Sequence, residues 1–157
     1  MPPKPDNAGA AKPAVAPTAH LRAVIATSDR VVFDGVADAV TALASRGALT
    51  ILLHHAPMLT MLEPGELVIR HAGETTTFFV EGGCLEVADD VVTILAENAE
   101  RPGNIDLSVA EAAVRDAQAM IKRYRSRPEA AMLALRRARA RLHAARKAGA
   151  ARGSARS

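Results

Sequence analysis

The chain has no tryptophan, one tyrosine and three phenylalanines, so aromatics supply only 3% of its 157 residues. Its core must therefore be built from Val, Leu, Ile and Ala. A single cysteine, Cys84, excludes an intramolecular disulfide and fits either a reducing compartment or indifference to redox. It follows Gly82-Gly83, no sequence signature pairs it with a base, and it reads as a small core hydrophobe. No apolar run approaches the ~20 residues needed to cross a membrane. The N-terminus lacks the apolar stretch of a secretory signal, and the expectation is a cytoplasmic protein without membrane insertion. No Gly-x-x-x-x-Gly-Lys-Ser/Thr loop is present, which excludes nucleotide hydrolysis of the P-loop kind. No nucleophile, base and oxyanion donor fall in one place, so the chain reads as non-catalytic.

Acids all but vanish from the C-terminal part. Residues 122–157 hold 12 of the 20 Lys and Arg and only Glu129 among the acids, a net +11; residues 1–121 hold 8 cations and 16 acids, a net −8. Such a split points to an anionic partner for the C-terminal part.

Residues 1–19 contain five prolines among Ala, Gly, Lys and Asn, and the composition predicts a disordered arm. From His20 to about Asn98 the pattern is period two or short apolar runs broken by turn signals. Strands are predicted at Leu21–Thr27, Val31–Val36, Ala39–Leu43, Leu49–Leu53, Gly65–Arg70, Thr75–Val80, Cys84–Val87 and Val91–Ala96. Turns fall at His71-Ala72-Gly73-Glu74, where Gly73 supplies a positive φ, and at Asp89-Asp90. Strands this short and this closely spaced imply a β sandwich or barrel.

After Arg101-Pro102-Gly103 the period becomes helical. Val109, Ala113, Ala117, Met120, Ile121 and Tyr124 form one stripe, opened by a capping box of Ser108 and Glu111 with Asp106 as a rival N-cap. Ser126-Arg127-Pro128-Glu129 breaks that helix and caps a second, whose stripe is Ala131, Leu135, Ala138, Leu142 and Ala145, with Gly149 at its expected end. Two helices with so short a break pack antiparallel. The organisation is then an arm (1–19), a β sandwich (20–104), a helical hairpin (105–148) and a basic tail (149–157). The class is mainly β with an α appendage.

The most informative stretch is Gly47–Leu62, where a short strand meets His55-Ala56-Pro57 and a second apolar run follows. Pro57 ends the strand. Met58, Leu59, Met61 and Leu62 require cover, from the chain's own sheet or from another protein. His54 and His55, as neighbours on a strand, would point to opposite faces and cannot share a metal.

This corner resembles the Gly-x-Leu-x-Ile-Leu-x-x-His-Ala-Pro-Leu-Leu segment of the epsilon subunits of F-type ATP synthases. The similarity continues through Val31-Val32-Phe33-Asp34-Gly35, Glu63-Pro64-Gly65-Glu66-Leu67 and Val80-Glu81-Gly82-Gly83-Cys84-Leu85-Glu86-Val87, in the same order, and spans roughly residues 20–148. The resemblance implies a sandwich of two small sheets followed by a helical hairpin. It also implies a non-catalytic rotor subunit joining gamma to the c-ring beneath the alpha and beta subunits, peripheral on the cytoplasmic side of the bacterial inner membrane. It assigns the gamma contact to the Met58–Leu62 corner, and the ring-facing loops to Arg46-Gly47 and His54-His55. Some members of that family bind ATP through Ile/Leu-Asp-x-x-Arg-Ala. The aligned Ile105, Asp106 and Ala110 are in place, but Val109 stands where the motif has Arg, so a phosphate-pairing guanidinium is missing and no ATP cofactor is expected.

The basic helix is the strongest signal that composition alone supplies. Arg136, Arg137, Arg139 and Arg141 are expected to clamp an acidic segment of beta and oppose ATP hydrolysis. The alternative is a small basic protein associated with nucleic acid. No stacking aromatics or base-reading motif support it.

Overall fold

The computed structural model describes residues 20–123 and 128–154. Ten strands precede two helices: β1 (Leu21–Ala26), β2 (Val31–Ala37), β3 (Ala39–Ala44), β4 (Gly47–Leu52), β5 (Met58–Leu62), β6 (Gly65–His71), β7 (Glu74–Val80), β8 (Gly83–Ala88), β9 (Val91–Ala96) and β10 (Ala99–Glu100), then α1 (Leu107–Arg123) and α2 (Pro128–Ser154). All eight predicted strands are present. The second apolar run after Pro57 is a strand in its own right, β5, and β10 adds a short edge.

Hydrogen bonding links the strands in the order β10-β7-β6-β3-β5-β8-β9-β1-β2, with β4 paired to β3. The ladder is nearly severed between β3 and β5, which share only the pair Ala44↔Leu62. That junction folds the ladder into two layers, β4-β3-β6-β7-β10 and β5-β8-β9-β1-β2. Every pairing is antiparallel except β1 with β9. Between the layers lie Ile25, Val40, Ile51, Leu67, Phe78, Leu85, Val92 and Ile94, all essentially solvent-free. This is the Val/Leu/Ile/Ala core that the scarcity of aromatics requires, with Phe78 its largest member.

The hairpins follow local chemistry. Ala72 and Gly73, and likewise Asp89 and Asp90, all have positive φ, the geometry of two-residue turns that match the right-handed strand twist. Gly83 is required where β8 starts, because a Cβ there would collide with the carbonyl oxygen of Leu95.

Helix α1 begins differently from the predicted capping box. Asp106 is the N-cap: its carboxylate accepts from the backbone N–H groups of Ser108 (2.8 Å) and Val109 (3.1 Å) and from the Ser108 hydroxyl (2.6 Å). Glu111 is thereby left to pair with Arg146 across the hairpin (3.0 Å). The inward stripe of α1 is Ala110, Ala113, Ala117 and Ile121, one residue out of phase with the prediction at its start; Val109 and Met120 face solvent. Starting the helix at Leu107 sets that phase. In α2 the predicted stripe holds, with Ala131, Ala138 and Ala145 buried and Leu135 and Leu142 half-buried. Pro128 opens α2, where its missing N–H costs nothing. The helix continues through Gly149 to Ser154, beyond its predicted end. The helices are antiparallel, since the start of α1 pairs with the far half of α2 through Glu111 and Arg146. The arm 1–19, the break at Ser126, Tyr124, Arg125, Arg127 and residues 155–157 lie outside the described residues.

Candidate functional site: two outer faces of the sandwich

Outward side chains of β6, β7 and β10 form a cross-strand row, because Glu66 registers with Phe79 and Phe79 with Glu100. The hairpin covers this row. Phe79 is fully buried there against Ile105, Ala110, Ala144 and Ala145, with Ala140 and Leu142 at the margin. It is the largest side chain in an interface otherwise made largely of alanine.

The flanking acids meet the basic helix. Arg141 Nε donates to Glu100 Oε1 at 2.7 Å, the most enclosed of these pairs, and Lys147 Nζ lies 2.6 Å from Glu66 Oε2. Nearer the start of α2, Arg137 pairs with Glu97 at 2.7 Å and the more exposed Arg136 with Glu63 at 3.4 Å. Three of the four arginines expected to reach another subunit are therefore engaged by carboxylates of their own sandwich. Arg139 is exposed and has no ion-pair partner among the described residues. The anionic partner that the charge asymmetry implies is, in this conformation, the chain itself. Nucleic acid loses its main support for the same reason.

Exposed ion pairs contribute about 0–1 kcal/mol each, whereas a buried Phe carries about 3–5 kcal/mol against truncation. Phe79 thus anchors the hairpin, and the pairs set its position. Arg137 Nε is enclosed and has no hydrogen-bond partner among the described residues.

No described residue covers the opposite outer face, on β5-β8-β9-β1-β2. Register aligns Met61, Cys84, Leu95, Ala26 and Val31 in one row across five strands. Met61 (60%), Leu95 (54%) and Val31 (61%) are exposed, as is Leu59 (72%) in the next row. The four candidate contact residues of β5 consequently divide. Leu59 and Met61 point outward, whereas Met58 packs on the core and Leu62 is buried within it. Strand alternation makes this division unavoidable. Cys84, half-buried on the outer row, is not the core residue expected.

The loop residues expected to face one surface together lie apart. Arg46-Gly47 lies at the start of β4, whose first residue is Gly47, and His54-His55 follows its end, so the length of the six-residue strand, about 20 Å at ~3.3 Å each, sets the two loops apart. His54 has left the strand with φ 62°. Its N–H donates to Asp90 Oδ1 (2.6 Å) and its Nδ1 lies 3.2 Å from Oδ2. The Nδ1 of His55 instead meets the Ala56 carbonyl at 2.7 Å.

Residues of the degenerate ATP motif have structural tasks. Ile105 and Ala110 are buried in the Phe79 cluster. Asp106 caps α1, and its carboxyl is held below the ordinary value of 3.8 chiefly by the Ser108 hydroxyl, then by the Val109 and Ser108 amides. Val109 is solvent-exposed.

Sequence reasoning missed Phe79 and the four latch acids. Phe78-Phe79-Val80 carried a signal: three consecutive apolar residues on a strand must place one on the outer face, which then needs cover.

Comparison with known proteins agrees with this architecture. The family model described as ATP synthase, Delta/Epsilon chain, beta-sandwich domain matches residues 20–102. An ATP synthase epsilon chain from Acidithiobacillus ferridurans is 47% identical over 95 residues, covering 60% of this chain and 67% of that one. One from Roseiflexus sp. (strain RS-1) is 48% identical over 89 residues, 57% and 64% respectively. The match thus spans about two thirds of the length of these relatives. A chain of the Euglena gracilis mitochondrial ATP synthase superposes with a TM-score of 0.67 over 80% of this chain and 81% of its own, at 22% identity, which speaks for the fold. Among the described residues no helix is long and apolar enough to cross a membrane. On the family match, the sequence identities and the shared fold, the chain belongs to the ATP synthase delta/epsilon chain family.

Proposed function

We propose that the chain is a non-catalytic rotor subunit in the central stalk of a proton-translocating F-type ATP synthase, joining gamma to the c-ring. The observation that carries this reading is the exposed apolar face of Leu59, Met61, Leu95 and Val31, covered by no described residue, on a sandwich whose other face is already occupied. A face of this kind fits a permanent protein contact, and gamma is its proposed occupant. The Arg46-Gly47 turn and the His54-His55 loop, at opposite ends of β4, then divide between different neighbours, with one end toward the ring. The subunit sits peripherally on the cytoplasmic side of the bacterial inner membrane.

The hairpin acts as a stowed brake. Docked, Arg136, Arg137 and Arg141 are held by Glu63, Glu97 and Glu100. Released, the same guanidiniums, with Arg139, pair with an acidic segment of a catalytic beta subunit and oppose hydrolysis. No ATP cofactor is assigned to the Ile105–Ala110 segment. The domain limits follow the same division: sandwich 20–104, hairpin from 105 on, with 1–19 as an arm. The test is co-purification of the full chain with gamma expressed alone. A stable complex is expected, and absence of any complex with a correctly folded chain overturns the reading.

A further inference from the structure

Strand β2 ends one layer of the sandwich and pairs only with β1, so one side of its backbone has no described strand beside it. Every second residue of such an edge turns its N–H and C=O outward, a ready template for another chain. Edges are ordinarily blunted by brevity, by Lys or by Pro. β10, at the other end of the strand order, is blunted by having only two residues. β2 is seven residues long and has neither Lys nor Pro. It is rich in the β-branched and aromatic types that extend a sheet, namely Val31, Val32, Phe33 and Val36. Its one charge, Asp34, is already held by Arg22 at 2.6 Å. The register irregularity at Ile25/Ala26 touches only the start of the strand, and the five pairs from Phe33 to Ala37 are regular.

Two guanidiniums flank the start of this edge. A cavity of about 230 Å³ opens between β2 and β10, and its lining includes Arg30, Val31, Val32, Phe78, Glu100 and Arg101. The acids nearby are taken. Glu100 accepts from Arg141 at 2.7 Å, and Asp29, next to Arg30 in sequence, accepts from the Thr27 hydroxyl at 2.6 Å. The Arg101 guanidinium lies over the Phe78 ring, 5.1 Å from its centroid. Neither Arg30 nor Arg101 has a carboxylate within ion-pair distance among the described residues. Each guanidinium has five N–H donors to offer.

We propose that β2 accepts an extended acidic segment of a partner protein as an added antiparallel strand, with the segment's carboxylates pairing to Arg30 and Arg101. Antiparallel addition continues the β1–β2 pairing and sets the C-terminal end of the segment against Arg30, so its acids belong at that end. In strand addition the backbone hydrogen bonds supply the hold and the flanking side chains supply the choice. Here the choice is for negative charge. The inference goes beyond the rotor reading and does not depend on it.

The test is fluorescence anisotropy on the full chain with a labelled, end-blocked peptide, Thr-Val-Thr-Val-Thr-Glu-Glu. Binding is expected, with slowed amide exchange in β2. Arg30→Gln with Arg101→Gln should weaken it at least about tenfold, the scale of losing two charge-assisted contacts, and so should replacing the peptide's two Glu by Lys. N-methylation of alternate peptide residues separates strand addition from simple charge attraction. In one phase it should weaken binding at least about tenfold and in the other hardly at all, because only alternate amides face β2. Arg115→Gln, an exposed cation on α1, should leave binding unchanged. No binding, equal effects of the two methylation phases, or equal weakening by Arg115→Gln overturns the proposal. Self-association of the peptide-free chain with protection of β2 also overturns it, since the occupant of the edge would then be a second copy.

Discussion

The two outer faces of this sandwich solve the same problem in different ways. Each carries apolar side chains that β alternation forces outward. On the β6-β7-β10 face, Phe79 is covered by the chain's own hairpin, and the surrounding Glu66, Glu97 and Glu100 are matched by Lys147, Arg137 and Arg141. On the β5-β8-β9-β1-β2 face, Leu59, Met61, Leu95 and Val31 are left uncovered. The difference lies in the neighbours. A hydrophobe ringed by acids, under an alanine-rich helix edged with arginines, gives a contact that can come apart. A face of apolar groups in strand register, with no described residue of this chain above it, suits a partner that stays.

The largest test of that contrast is Phe79→Ala. It should cost the hairpin about 3–5 kcal/mol of docking while the separate core around Phe78 and Ile94 stays intact. Hydrogen exchange should then show α2 deprotected and β1, β8 and β9 unchanged. Simultaneous loss of protection in both would mean that the faces are one cooperative unit.

On the other face, Leu59→Glu with Met61→Glu should leave the isolated chain folded, since both side chains are in solvent. Capture of gamma should fall by at least about a hundredfold, the scale of losing two interface anchors. Undiminished capture would move the permanent contact elsewhere.

A smaller effect separates the latch pairs. Arg141→Ala strands the enclosed Glu100 and should loosen the hairpin by about 1–3 kcal/mol. Arg136→Ala removes an exposed pair and should cost less than about 1 kcal/mol. Equal effects, read from limited proteolysis of α2, would deny that enclosure matters.

The smallest concerns pH. The Asp106 carboxyl is lowered on folding, mainly by the Ser108 hydroxyl, so its capping contribution is complete above the ordinary value near 3.8 and is lost as pH falls through the lower folded value. Helix content of α1 should drop in that acid window, and Asp106→Asn, still a good cap but uncharged, should flatten the response. A drop of the same size in the Asn variant would assign the acid sensitivity to other carboxylates.

Much of this was legible in the sequence, for identifiable reasons. Strand positions follow from period two, and the helices from the change of period after Pro102. The C-terminal charge excess implied an anionic partner, and four of its cations meet carboxylates of the chain's own sandwich. Position 105–111 was misread by one phase because Asp106 and Ser108 can both cap, and local spacing does not say which wins. In the structure Asp106 takes two amides and the Ser108 hydroxyl together. The Met58–Leu62 group was treated as one patch because a run of apolar residues hides which alternate members face out until a strand is recognised. Least legible was the partner of the arginines. Glu63, Glu66, Glu97 and Glu100 are scattered along the chain, and only the pairing of β6, β7 and β10 gathers them under α2.

The central claim is that one set of guanidiniums serves two alternative partners, and ATP hydrolysis by the reconstituted complex tests it directly. Neutralising Glu63, Glu97 and Glu100 to Gln should free the arginines and slow hydrolysis, whereas neutralising Arg136, Arg137, Arg139 and Arg141 to Gln should speed it. With assembly equal in both complexes, opposite signs are the predicted result. Changes of the same sign, or none, would contradict the account.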